Sequence, residues 1–260
     1  MQKLVIPYGE HPSQYGILRL PEGTGPFPVA VMIHGGNWQM MYGLECIELA
    51  AQDLAKRGLA TWNIEYRRVG ERGGGWPGTF VDAAAAVRFL RPLAKKYPLD
   101  LKRVVLLGHS AGGQLALWLS SRGRLARPDA LGEPLGLELL GCVGLAAVSD
   151  LRRLWELDQE LETSLAEDLL GGSPEAYPER YQLASPLELL PMPVPQVLFH
   201  GEDDMDIPPD FSAAYCRKAA GLGMKAALRL LPGMDHFLLV EPAGRSWEEI
   251  CQAVRQLTGA

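Results

Sequence analysis

Leu106-Leu107-Gly108-His109-Ser110-Ala111-Gly112-Gly113 follows an apolar run that begins at Val104 and leads into Gln114-Leu115-Ala116-Leu117-Trp118-Leu119. That order predicts a strand, a tight turn and a helix. A serine at so sharp a turn sits in a strained backbone conformation, and larger side chains two residues before and after it would collide, so glycine is required there. Gly108 and Gly112 stand at those places, with Gly113 beyond them. The helix that follows directs its N-terminus at the serine, where free N–H groups and partial positive charge favour an oxyanion. Ser110 is therefore the candidate nucleophile. The bland alternative is a Gly-rich turn that caps a helix.

The rest of the chain reads as a framework for that turn. Val29–Ile33 is a continuous apolar run, as expected of a strand buried on both faces, and it ends in His34-Gly35-Gly36-Asn37-Trp38. Further strands are expected at 59–65, 103–107, 141–148, 196–199 and 226–231, alternating with helices at about 44–57, 79–96, 111–121, 209–220 and 245–257. Residues 3–6 and 15–20 read as an antiparallel edge hairpin. Strands alternating with helices imply right-handed crossovers, hence an α/β fold with a mainly parallel twisted sheet covered on both faces. Residues 151–190, short helical pieces broken by Gly171-Gly172-Ser173-Pro174 and Ser185-Pro186, are expected to form a cap-like excursion over the sheet. A polar loop is expected between about 122 and 140.

Composition sets outer bounds. At 260 residues, 47% hydrophobic and 22% charged, the chain fits one large globular domain. A net charge of -6 offers no electrostatic footprint for nucleic acid or an anionic membrane surface, so neither is expected as a partner. Cys46, Cys142, Cys216 and Cys251 are scattered, without metal-ligand or disulfide spacing, and are expected as reduced thiols. The N-terminal apolar run is too short for a signal peptide, and no segment approaches the ~20 apolar residues of a membrane span, so a cytoplasmic location is expected. Oligomeric state is not legible.

Loops after the strand C-termini of such a sheet share one edge, where ligands bind. Ser110 needs a base there, because a neutral hydroxyl is a weak nucleophile. Among the histidines, His11 lies in the hairpin, His34 opens the Gly-Gly loop and is expected to fix it, and His200 braces its own turn. His109 adjoins the serine but is expected to point away from it. His236, in the loop between the last strand and the last helix, is free to reach across, and is the candidate base. A carboxylate should orient it. Glu202, Asp203, Asp204 and Asp206 all lie in the loop after Phe199, Asp150 is a rival, and spacing alone does not choose.

The order Ser, Asp, His, the G-H-S-A-G-G elbow, the H-G-G-x-W loop and H-G-x-x-D-x-x-I-P resemble the α/β-hydrolase superfamily over nearly the whole chain. That resemblance implies Asp204 as the orienting acid, fifth from His200. It also implies oxyanion donors at Ala111, Gly36 and Asn37, although hormone-sensitive-lipase-like relatives carry a glycine where Asn37 stands. No metal or organic cofactor is implied. Within the superfamily the motifs are similar to small bacterial carboxylesterases and to the kynurenine formamidase (arylformamidase) group, and the expected activity is hydrolysis of small carboxylic esters through an acyl-serine. Formamide hydrolysis, a prolyl-oligopeptidase-like peptidase and a non-catalytic binding module are the alternatives. Trp38, Trp76, Trp155 and Phe237 are expected to form an aromatic substrate pocket. Arg67 and Arg68 could meet a substrate carboxylate, but structural ion pairs are the better expectation.

Overall fold

The computed structural model describes residues 1–122 and 131–259. Part of the loop expected between 122 and 140, residues 123–130, and Ala260 lie outside the described residues. Eight strands, β1 (Gln2–Pro7), β2 (Tyr15–Leu20), β3 (Phe27–Ile33), β4 (Ala60–Ile64), β5 (Leu99–His109), β6 (Gly141–Leu145), β7 (Gln196–Gly201) and β8 (Ala226–Leu231), form one sheet of order β1-β2-β4-β3-β5-β6-β7-β8. β2 runs antiparallel to β1 and β4, and every pairing from β4 to β8 is parallel. Because β3 and β5 lie side by side near the centre, the loop after Ile33 and the turn after His109 emerge next to each other.

Period-two alternation divides the strand side chains between two cores. Val29, Val31 and Ile33 of β3, with Val104 and Leu106 of β5, pack toward α2 (Gly78–Arg88) and α4 (Ala111–Arg122). Ala30, Met32, Val105 and Leu107 pack toward α1 (Glu48–Lys56) and α9 (Trp247–Thr258), where Leu54, Trp247, Ile250 and Val254 close the other face. Burial on both faces explains why these strands read as unbroken apolar runs. The helix expected over 79–96 divides into α2 and α3 (Leu90–Ala94). Pro92 has no N–H to give to the carbonyl of Arg88, and α2 stops there.

The excursion after β6 contains α5 (Leu151–Leu161), α6 (Leu165–Leu170) and α7 (Pro178–Ala184), after which the chain returns to β7 and α8 (Asp210–Gly221). Buried groups of α4 tie this cap to the body of the molecule. Gln114 donates to the Ala184 carbonyl at 2.9 Å and accepts from the Trp38 indole at 3.2 Å, while the Trp118 indole donates to Leu183 at 3.0 Å. Among the described residues, no helix is long and apolar enough to cross a membrane.

Candidate active site

Ser110 occupies the turn between β5 and α4 with φ of 55°, a left-handed conformation uncommon outside glycine. Its N–H donates to the Leu145 carbonyl at 2.8 Å, and its own carbonyl accepts from Gln114 at 3.1 Å, so the backbone is held from both sides. The flanking glycines are required by proximity. A Cβ on Gly108 would stand 2.1 Å from the Gly112 carbonyl oxygen, and one on Gly112 would stand 2.2 Å from that of Ile33. The strand-turn-helix expectation therefore holds, and its geometric reason is the close approach of α4 to the end of β3.

His236 follows β8 and reaches back across this edge. Its Nδ1 lies 2.7 Å from Oδ2 of Asp204, and both side chains are buried. Oδ1 of Asp204 accepts from the N–H groups of Asp206 and Ile207 at 3.0 and 2.8 Å. Burial works against a charge on Asp204, but hydrogen bonds from His200, His236 and Ile207 hold its carboxyl well below the usual carboxylate range. Glu202, Asp203 and Asp206 are exposed, and Asp150 caps α5 by accepting from the N–H groups of Arg152 and Arg153. Of the acids considered, Asp204 is the one bonded to His236.

The other histidines brace the frame. His200 pairs with the Ser212 hydroxyl at 2.7 Å and with the Ile207 carbonyl at 2.8 Å, fixing the acid-bearing turn. His34 faces the Glu65 carboxylate at 2.8 Å and stacks on Tyr66, whose hydroxyl donates to the His34 carbonyl. His109 has a place in the site that was not expected of it: its Nε2 lies 2.8 Å from the His236 carbonyl, and the two rings are 4.7 Å apart. A carbonyl only accepts, so Nε2–H donates. Burial lowers the His109 pKa to about 3, with the neighbouring His236 acting in the same direction, and the ring is a neutral donor.

Ser110, His109 and His236 line one cavity of about 450 Å³ together with Gly36 and Asn37. Gly36, Asn37 and Trp38 have positive φ in succession (98°, 54° and 57°), a strained loop held where the Val69 N–H donates to the Trp38 carbonyl at 2.7 Å and the Met40 N–H donates to the Val69 carbonyl at 3.0 Å. Ala111 begins α4 directly after Ser110. The aromatic pocket needs correction. Trp38 is buried away from the cavity with its N–H on Gln114, Trp76 packs against Phe80, and Trp155 donates to Glu167. Only Phe237 of the four lines the cavity, whose apolar wall is mainly aliphatic: Leu154, Leu157, Leu165, Ile207 and Val240. The i, i+3, i+7 spacing of Leu154, Leu157 and Leu161 on α5 was the available signal for this wall.

Arg67 makes a bidentate pair with Asp82, and Arg68 pairs with Glu65 and Glu71; neither lines the cavity. Cys46 lines the cavity, whereas Cys142, Cys216 and Cys251 are buried; all four are free thiols. Among the described residues, the one trio with donor atoms close enough to share a metal ion is Asp204, Asp206 and His236, within 4.8 Å. Asp204 and His236 already spend those atoms on each other.

A family model described as BD-FAE matches residues 17–218. The chain belongs to the BD-FAE family. The matched span contains Ser110 and Asp204, and His236 lies beyond it. A probable isoprenylcysteine alpha-carbonyl methylesterase of Arabidopsis thaliana is 28% identical over 244 residues, covering 89% of this chain and 50% of that protein. A similarly named protein of Oryza sativa subsp. japonica is 29% identical over 248 residues, covering 89% and 56%. The chain thus spans about half the length of the curated relatives it matches. The fold is also that of a truncated carbohydrate esterase from gut microbiota (TM-score 0.85, 20% identity, covering 100% and 97% of the two chains). Esterase Est2 of Thermogutta terrifontis shares it as well (TM-score 0.77, 18% identity, 97% and 91%). This BD-FAE member has an α/β-hydrolase fold.

Proposed function

We propose that the chain hydrolyses carboxylic esters through an acyl-serine, with Ser110 as nucleophile, His236 as base and then acid, and Asp204 as the group that orients His236. The buried bond from Asp204 to His236, which lines the same cavity as Ser110, carries this reading. An ionised Asp204 accepts a hydrogen bond from Nδ1–H, which keeps that proton on Nδ1 and leaves Nε2 of a neutral imidazole with its lone pair free for the serine proton. As the Ser110 oxygen bonds to the acyl carbon, His236 takes that proton and the carbonyl oxygen becomes an oxyanion. The backbone N–H groups of Ala111 and of Gly36 or Asn37 stabilise it, each worth roughly 3–4 kcal/mol in the transition state. The alcohol departs with the proton from His236. Water then repeats the sequence on the acyl-serine and frees the acid.

Curated relatives named as methylesterases support an ester substrate. The ester reading is preferred to a formamide of an aryl amino acid because such a substrate carries a carboxylate, while the cavity lining, among the described residues, holds Asp158, Asp206 and Glu241 and no lysine or arginine. Turnover of p-nitrophenyl butyrate against N-formylkynurenine tests the choice. The ester should have the higher kcat/KM. A formyl preference above about a hundredfold would overturn the ester reading.

A further inference from the structure

The inner part of the cavity lies against Leu154 and Leu157 of α5, Leu165 of α6, and Ile207 and Val240. At its mouth, side chains that also line it stay in water to an unusual degree: Met205 is 90% exposed, Phe237 61%, Leu161 59% and Tyr42 42%. The bare apolar surface continues along the same segments, with Met40 and Met41 ahead of Tyr42 and Leu238 after Phe237. Large apolar side chains left exposed at the rim of a concave site mark a place where a ligand or partner binds. Among the described residues, the carboxylates lining the cavity, Asp158, Asp206 and Glu241, face no lysine or arginine there and repel an anionic tail.

We infer that the substrate's ester bears a neutral aliphatic chain longer than the enclosed cavity. Its first carbons lie under Leu154 and Leu157, and the remainder runs out along Met205 and Phe237, removing their apolar surface from water. The aliphatic wall grips by area and not by directed polar contacts, so binding strengthens with each added methylene until the chain passes the rim. The inference rests on the ester reading of the Ser110 site and adds the substrate class to it.

Two ester series distinguish the outcomes: p-nitrophenyl acyl esters from acetate to decanoate and n-alkyl acetates from methyl to octyl, all below their micellar concentrations. They are assayed with the wild-type chain and with Met205→Ser/Phe237→Ser. In at least one series kcat/KM should rise at least tenfold from two to eight carbons. In the double variant that eight-to-two ratio should fall at least fivefold, through KM. Chain-length-independent hydrolysis by the wild type, or a ratio the variant leaves unchanged, overturns the inference and leaves the ester reading intact. A dimer in sedimentation that the double variant dissociates would likewise overturn it, since the rim would then be covered by a second copy. Absence of ester turnover in both series, with Ser110 unreactive to a fluorophosphonate, removes the ester reading and the chain with it.

Discussion

Asp203 and Asp204 are adjacent acids in one loop, yet one is exposed and the other buried against His236 and two backbone N–H groups. Asp204→Asn keeps the shape but offers an amide in place of an ionised acceptor, so the wrong imidazole tautomer is favoured; kcat should fall by roughly 10³–10⁴. Asp203→Asn should stay within about twofold. Steady-state kinetics on a short ester rank the two, and the reverse ranking would show that Asp204 does not orient the base. His109 acts through its neighbour, holding the His236 carbonyl from beneath as a positioning residue. His109→Leu should lower kcat by about tenfold or more with KM nearly unchanged, and His109→Gln, whose amide can donate from a similar place, should recover most of it. The same residue gives a pH signature. An unfolded histidine binds its proton below about pH 6.5, whereas folded His109 resists until about pH 3, so the unfolded form is favoured increasingly as pH falls through that window. The stability of His109→Gln relative to wild type should therefore rise between pH 7 and pH 4 in urea titrations. Parallel curves would mean that His109 is not held neutral.

At the scale of elements, what was legible depended on whether burial was encoded locally. β3 and the end of β5 announce themselves because both faces are covered, so nearly every residue is apolar. The first residues of β5 escaped notice because Leu99-Asp100-Leu101-Lys102 alternates, and because the strand pairs with Phe27 and Pro28 across a register shift. The Ser110 turn was legible because its glycines answer to backbone contacts close in sequence and to one neighbouring strand. The aromatic pocket was misread because tryptophan is equally apolar in a core and in a cleft, and only the tertiary fold puts Trp38 behind the loop it belongs to. In the cap, the turn from α5 to α6 depends on one buried carboxylate: Asp158 accepts from the Thr163 hydroxyl and from the Ala166 N–H. Asp158→Ala leaves that N–H unpaired and should cost about 1–3 kcal/mol. A lower urea midpoint, with faster proteolysis between α5 and α6, is the expected outcome; an unchanged midpoint would show that the turn is held by packing alone.

Across the whole molecule, the parallel part of the sheet brings the ends of β3, β5, β7 and β8 to one edge, and each contributes one part of the site. The β3 loop contributes the strained backbone of residues 36–38, β5 the Ser110 turn, β7 the Asp204 loop and β8 the segment bearing His236. The cap adds an aliphatic wall from α5 and α6, tied down through Gln114 and Trp118 of α4. Ser110 and His236, distant in sequence, thus line one cavity with Asp204 bonded to the far nitrogen of His236, and the reading of this chain as a serine esterase stands or falls with Ser110. Mass-spectrometric mapping after exposure to a fluorophosphonate tests that directly. The adduct should form on Ser110, be absent in Ser110→Ala along with ester turnover, and form at least about a hundredfold more slowly in His236→Ala. An adduct on another residue, or ester hydrolysis at the wild-type rate by Ser110→Ala, would contradict it.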